Sequence, residues 1–339
     1  MTTRRLVIST HGYSLVLRGE TITVLSSKQE IERVPLEELE EVIVMAYGNI
    51  SVQAIYALSE HGIPIIFLQG THYVSMLNPT LIGTVSTRRE QYRAYESTKG
   101  FEIAKEIILA KISNQRALLG TLAKNREFSA QKIAEEILSR KEKILSAFQD
   151  LDNIKPEPIE KSRPHLMAVE AKCANIYWDS IKLLFQHVGF YARDHSAEDV
   201  LNASLNLGYA ILAGECERGI HMAGLDPYGG FLHADKPGRK SLVFDIMEPF
   251  RPHVVDRTVF ALISRKQLST QHITPENGIY KLTNEAKKTV VSAILQRLDE
   301  TVYWNGIRRS WSNTIAETCS SLAMFLRNQS PFSILKMRW

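Results

Sequence analysis

The stretch GGFLHADKPGRKSLVFDIMEPFRPHVVD, running from Gly229 to Asp256, gathers several residue types that can do chemistry. It sets His233 in a glycine-flanked loop, follows it with the basic residues Lys236, Arg239 and Lys240, and then supplies two carboxylates, Asp245 and Glu248. SLVFDIME reads as the start of a helix, because Pro249 is tolerated only in a first turn or at a kink. Residues three apart on a helix share a face, so Asp245 and Glu248 are expected to point the same way, with Arg251 continuing that face. Two carboxylates side by side repel unless a cation or an arginine neutralises them, which makes a metal ion a natural occupant. A solvated acidic edge paired with Arg251 satisfies the same charges, and this segment alone does not choose between the two.

A second acid comes from RPHLMAVEAKCANIYWDSI. There Glu170, Cys173, Ala174 and Tyr177 fall on one largely apolar helical face. A carboxylate on such a face is costly to bury without a partner; a lysine or arginine from elsewhere is the plain partner, a metal the sharper one. In AEDVLNASLNLGYAILAGECERGIHM, Asn202 and Asn206 form an i, i+4 polar pair suited to hydrogen bonding between helices. His221 near the end of that helix reads as a packing residue or a partner of the helix dipole. His187, His195 and His253 read as packing residues too.

The elements that must carry these residues are legible in outline. LVIST (Leu6–Thr10), YSLVLRG (Tyr13–Gly19) and TITVLSS (Thr21–Ser27) are short β-branched runs separated by turns at His11-Gly12 and Gly19-Glu20. EEVIVMAY, IPIIFLQG and YVSMLN add three more apolar runs, and SVQAIYALSEHG has helical spacing. From Thr87 to Phe148 proline is absent, and two long amphipathic helices are expected, one through Leu119 and one from Ser129 to Phe148. The run from Leu138 to Lys143 reads as a solvated face. NIKPEPIEKSRP then forms a flexible Pro-rich loop near 153–164. Helices resume at Pro164 except in QLSTQHITPENGIYKLT, where Asn277-Gly278 marks a hairpin turn. This is an α+β chain: a β-rich domain over 1–86 and an α-helical domain over 87–339.

Composition bounds the function without naming it. Of 339 residues, 44% are hydrophobic and 23% charged, an ordinary globular balance. Net charge is +4; up to Tyr95 there are 8 Lys and Arg against 9 Asp and Glu, and 33 against 28 beyond it. That excess permits a polyanionic partner without requiring one. Cys173, Cys216 and Cys319 form no CxxC pair, which argues against a disulfide framework and a thiolate zinc site. No apolar run approaches the ~18–20 residues of a membrane span, and the N-terminus lacks a signal peptide's pattern. A cytoplasmic protein is expected.

Five stretches together resemble the CRISPR-associated integrase family, the universal spacer-acquisition nuclease of those immune loci. They are KISNQR (Lys111–Arg116), VEAKCANIYW (Val169–Trp178), LNASLNLGYAIL (Leu201–Leu212), GLDPYGGFLH (Gly224–His233) and SLVFDIMEPFRP (Ser241–Pro252), in the family's order and spacing. The N-terminal run, including HGIPIIFL, fits the family's small sheet domain, so the likeness spans nearly the whole chain. The resemblance implies a β-sandwich-like N-terminal domain, with a role in dimerisation, and a helical catalytic domain. It puts the metal ligands on Glu170, His233 and Glu248, and an accessory catalytic acid on Asp245. Lys236, Arg239, Lys240 and Arg251 become candidate contacts to DNA phosphates. One departure is Ala171, where the family usually has glycine; alanine remains small enough for close helix packing.

Two carboxylates and an imidazole make a mixed oxygen and nitrogen site that suits Mn²⁺ and tolerates Mg²⁺. The resemblance implies cleavage and strand transfer on double-stranded DNA, a homodimer, and assembly with the small second CRISPR-associated protein. Two other classes compete: a catalytically silent DNA-binding scaffold, in which Asp245 and Glu248 merely pair with Arg251, and a metallohydrolase of small phosphoesters. The second lacks any Gly-rich phosphate loop.

Overall fold

The computed structural model describes residues 4–69, 72–77, 85–196, 198–276 and 279–338. The chain forms two compact units, Met1–Ile82 and Gly83–Trp339.

The first unit opens with the strands β1 (Arg4–Ile8), β2 (Tyr13–Arg18), β3 (Thr21–Ser26), β4 (Gln29–Pro35), β5 (Leu39–Val44) and β6 (Gly48–Ile50). The helix α1 (Val52–Glu60) and strands β7 (Ile65–Gln69) and β8 (His72–Leu77) complete it. One sheet has the order β1-β5-β7-β8 and the other β4-β3-β2-β6. Leu6, Val42 and Ile65 of the first sheet meet Leu15, Ile22 and Val24 of the second in one core, with Ala54 and Leu58 of α1 packed in. This is the sandwich-like arrangement expected. Gly19, at φ +58°, turns the β2–β3 hairpin, where Arg18 pairs with Thr21. The sequence reading missed β4 because five of its residues are exposed. Charged residues on an edge strand discourage pairing with another chain, and they also erase the apolar alternation that marks a strand.

The second unit is mostly helical: α2 (Val85–Tyr95), α3 (Thr98–Lys124), α4 (Gln131–Lys143), α5 (Ser146–Asp152), α6 (Ile159–Phe185) and α7 (Val200–Met222). After α8 (Ser241–Met247) a π-helical turn (Arg251–Asp256) leads into α9 (Arg257–Ser264). Then come β9 (Ile273–Glu276), β10 (Ile279–Leu282), α10 (Asn284–Asp299), β11 (Thr301–Trp304), β12 (Ile307–Ser310) and α11 (Trp311–Leu326). The helix α7 is buried on nearly every side, and α8, α9, α10 and α11 pack around it. On another flank α3 packs against α2, α4 and α6.

Several expectations shift here. The first long helix is two: Ser97 is extended and accepts a hydrogen bond from Lys99 N–H, which starts α3 afresh and carries it to Lys124. The second is likewise α4 and α5. The Pro-rich loop is shorter than 153–164, since α6 begins at Ile159 directly after Pro158 and runs through Pro164. A proline there forfeits one backbone bond, tolerable near the start of a 27-residue helix. The solvated face of α4 holds one exception: Lys141 is only 2% exposed. The β9–β10 pairing supports the expected hairpin, though the Asn277-Gly278 turn itself lies outside the described residues. A second hairpin, β11–β12, turns on Asn305 and Gly306, at φ +49° and +81°. All three cysteines are buried and free.

Candidate metal centre

Four pieces of the helical unit converge. The middle of α3 contributes Lys111 and Asn114, α6 contributes Glu170, the loop before α8 contributes His233, and the end of α8 contributes Glu248. Glu170 is 13%, His233 18% and Glu248 3% exposed. The two glutamates are brought together by a lysine. Lys111 Nζ donates to Glu170 Oε1 and stands 2.5 Å from Glu248 Oε2. On the other side of Glu248, Arg251 Nη1 lies 2.8 Å from Oε1. Burial pushes the Glu248 carboxyl up, but Arg251, Lys111 and His233 outweigh it and hold it down to about 2. Burial likewise pushes the Lys111 ammonium down, while Glu248 and Glu170 raise it above the ordinary lysine value.

Asp245 has a different task from the one its spacing suggested. It is fully buried, and its oxygens collect four donors. Oδ2 accepts the backbone N–H groups of Phe231 at 2.6 Å and Leu232 at 3.0 Å; Oδ1 accepts that of His233 at 2.9 Å. The fourth donor is the His233 ring, with Nδ1 2.7 Å from Oδ1. With Nδ1 engaged by the carboxylate, Nε2 is the ring nitrogen left for another partner, and it faces Glu248 Oε1 at 3.9 Å. Asp245 and Glu248 therefore reach opposite nitrogens of one imidazole and do not share a cation. A carboxylate that orients a histidine from behind is the usual outer support of a metal ligand.

The loop bearing His233 is clamped from three helices. Gln91 of α2 donates to the carbonyls of Gly229 (2.7 Å) and Asp226 (2.9 Å) and accepts from Asp226 N–H (2.8 Å). Arg163 of α6 donates to Phe231 carbonyl at 3.3 Å. Gly230 lies so close to α8 that a Cβ there would sit 2.6 Å from that of Ser241. Behind Glu248, Asn114 Nδ2 donates to Pro249 carbonyl (2.8 Å) and Leu335 carbonyl (3.0 Å), while its Oδ1 accepts from Met337 N–H (2.7 Å). The π-helical turn follows at once, a distortion often found beside functional sites. It carries Arg251 onto the Tyr209 ring, 4.8 Å from its centroid. Tyr209 and Tyr177 donate their hydroxyls to buried Asp256, whose carboxyl burial pushes up to about 6 despite these bonds.

Among the described residues no three His, Cys, Asp or Glu side chains already form a closed metal cage; the lysine stands between the carboxylates instead. The donor set nonetheless fits a divalent cation. A positive group already sits where both carboxylates point, His233 Nε2 faces Glu248, and oxygen with imidazole is ligand chemistry that suits Mn²⁺ and tolerates Mg²⁺.

A family model described as CRISPR associated protein Cas1 matches residues 6–296. The chain belongs to the Cas1 family. A Cas1 relative from Archaeoglobus fulgidus, named CRISPR-associated endonuclease Cas1 1, is 36% identical over 344 residues, covering 99% of this chain and all of that protein. Among solved structures, a casposase bound to integration product superposes with a TM-score of 0.81 at 23% identity, covering 98% of this chain and 93% of that one. A Cas6-RT-Cas1–Cas2 complex gives 0.79 at 19% identity, covering all of this chain and 36% of that one. These likenesses establish the α+β fold of a sheet-rich region followed by a helical one.

Within this Cas1 chain the four basic candidates differ in freedom. Lys236 is exposed and Arg239 lies over the Phe244 ring, 5.1 Å from its centroid. Lys240 is committed to buried Glu217, with Nζ 2.8 and 2.9 Å from its two oxygens, and Arg251 to Glu248. Ala171 is exposed, so its methyl crowds no neighbouring helix. Asn202 and Asn206 do not join helices; their side-chain oxygens accept from Arg193 and hold the 192–195 loop. His221 meets Glu217 at 3.3 Å, and His253 is buried against Trp311. Lys111 and Asn114 are the residues sequence reasoning passed over. Their only signal was membership of KISNQR, three apart on one helical face.

Proposed function

We propose that this chain is a divalent-metal-dependent DNA endonuclease and integrase that joins spacer DNA into a CRISPR array. One observation carries the reading: Glu170 and Glu248 point at a single cation position, and Asp245 turns Nε2 of His233 toward Glu248. Glu170, His233 and Glu248 would hold Mn²⁺ or Mg²⁺, which supplies polarisation of the phosphoryl oxygen and activation of water or a DNA 3′-hydroxyl. Cleavage and strand transfer then differ only in which nucleophile is present.

The chain's own groups do the rest. Asp245 fixes the tautomer and direction of His233. Arg251, braced by Tyr209, pairs with Glu248 and helps hold its charge. Lys236 and Arg239 would grip the strand farther out, positioning it without reading sequence. Supporting the partners, one relative carries the name endonuclease, one structural neighbour is a casposase bound to integration product, and another is a Cas1–Cas2 complex. Double-stranded DNA, a second copy of this chain and a small Cas2-type protein are accordingly proposed. No described helix is long and apolar enough to cross a membrane.

The test is Glu170→Ala and His233→Ala, each assayed for Mn²⁺-dependent cleavage of duplex DNA and for spacer joining, with circular dichroism as a check on folding. Both activities should vanish from folded protein, and wild-type activity in either variant would sink the ligand assignment. The silent-scaffold alternative has one feature in its favour, the Arg251–Glu248 pair. Asp245, the other acid it requires, is engaged by the His233 loop instead. That alternative predicts DNA binding with no uptake of Mn²⁺.

A further inference from the structure

Lys111 has no task in an account of the centre limited to its three ligands. Its ammonium contacts Glu170 Oε1 and stands 2.5 Å from Glu248 Oε2, so a tethered monovalent cation already stands where both carboxylates point. The placement is built in. Lys111 lies mid-way along α3, which packs against α6 and so faces Glu170. Asn114, one turn on, is bonded to the carbonyl of Pro249, the residue next to Glu248. The lysine side chain is only 11% exposed. Without it the two buried carboxylates would repel one another.

A divalent ion bound to these oxygens at ~2.0–2.2 Å would coincide with the ammonium, and two cations cannot share that point. Metal uptake is therefore an exchange. Lysine suits the role because its charge rides on a flexible four-carbon stem, whereas an arginine fork would stay fixed to the carboxylates.

We propose that Lys111 is an internal counter-cation that closes the Glu170–Glu248 pair in the metal-free protein and is expelled when a divalent ion binds. This rests on the reading of Glu170, His233 and Glu248 as ligands. Before exchange, Glu170 and Glu248 are balanced by Lys111 and Arg251. Afterwards the dication has arrived and the ammonium is released beside it, so the place turns net positive and suits a phosphodiester. Lys111 is in this sense a positioning residue, which holds the ligands ready and limits how tightly the metal is held.

The experiment is calorimetric titration of Mn²⁺ into the wild type, Lys111→Met and the double variant Glu170→Gln/Glu248→Gln. Removing the competitor should tighten Mn²⁺ binding at least about tenfold, which corresponds to about 1.4 kcal/mol, while lowering the melting temperature of the metal-free protein. A lysine with a merely structural role would lower the melting temperature and weaken Mn²⁺ binding together. Equal or weaker affinity in folded Lys111→Met overturns the proposal. If binding disappears in Glu170→Gln/Glu248→Gln, that failure belongs to Lys111 alone. No Mn²⁺ binding in the wild type, or binding that survives the double Gln variant, overturns the ligand reading and the proposal with it. A second measurement needs no variant: amine acetylation of the wild type, read by peptide mass spectrometry. Lys111 should label faster in saturating Mn²⁺ than without metal, and an unchanged or slower rate overturns the proposal.

Discussion

Replacing Asp245 by asparagine removes a charge with almost no change of shape. The carboxylate accepts from two loop N–H groups on Oδ2 and from the backbone and ring of His233 on Oδ1. An asparagine offers one acceptor oxygen and one NH₂, which only donates. With the NH₂ set toward Phe231 and Leu232, two backbone N–H groups lose their acceptor; with it set toward His233, the backbone N–H of His233 does, while the ring can accept on Nδ1 in its other tautomer. Hydrogen bonds to a charged group contribute about 1.5–3 kcal/mol each, so the one or two lost in a fully buried place amount to about 1.5–6 kcal/mol. In a unit of this size about 1 kcal/mol moves the melting temperature by about 2–4 °C, which puts the expected drop at roughly 3 °C or more. The assay is differential scanning calorimetry, with guanidinium unfolding as a check that the slope is unchanged. An Asp245→Asn protein melting within about 2 °C of the wild type would refute this account of the loop.

Other outcomes follow from buried groups around the centre. Asn114→Ala deprives three backbone groups of their partner and should cost about 3 kcal/mol or more, seen as a lower denaturant midpoint. Burial, with Arg257 and Arg297 beside it, pushes the His253 imidazole down to about 3. The unfolded chain therefore takes up a proton below about pH 6.5 that the folded one refuses, and His253 costs stability as pH falls from there toward 3. Asp256 runs the other way, because a folded value raised to about 6 costs stability as pH rises through that range from its ordinary carboxylate value. His253→Phe keeps the stack on Trp311 and removes two ring nitrogens without hydrogen-bond partners. Its stability advantage over wild type should grow by about 3 kcal/mol between pH 7 and pH 4, and a difference independent of pH would contradict the assignment.

The strands of the first unit were readable where burial alternates, as in β1 and β2, and unreadable where an edge strand is polar on both faces, as in β4. The break at Ser97 lies between two helices of continuous amphipathic pattern, so only a weak cap signal marked it. The β11–β12 hairpin carried a plain signal in Asn305-Gly306 that went unused. In the centre, the apolar face of α6 was read correctly from spacing. Asp245 was not, because helical spacing gives the direction of a side chain but not which loop folds back onto it. The lysine between Glu170 and Glu248 was invisible for a related reason: it lies 59 residues before Glu170 in sequence, and no local pattern spans that distance. Family resemblance named the candidate ligands, while the packing of α3 on α6 and the bond from Lys111 to Glu170 reveal what lies between the two glutamates.

The Asn114 clamp also has a consequence for the order in which the protein is made. Glu170, His233 and Glu248 all precede the segment that closes on Asn114, whose partners Leu335 and Met337 lie 221 and 223 residues beyond it. At about 5–20 residues per second, translation passes Glu248 several seconds or more before it supplies those partners. A nascent chain that has passed Glu248 but not Leu335 would thus carry every candidate ligand yet lack the two bonds that tie α3 to the 335–337 segment. Assembly of the centre waits until Leu335 and Met337 have been made, and a chain that stops short of them is one whose cation position has no finished wall behind it.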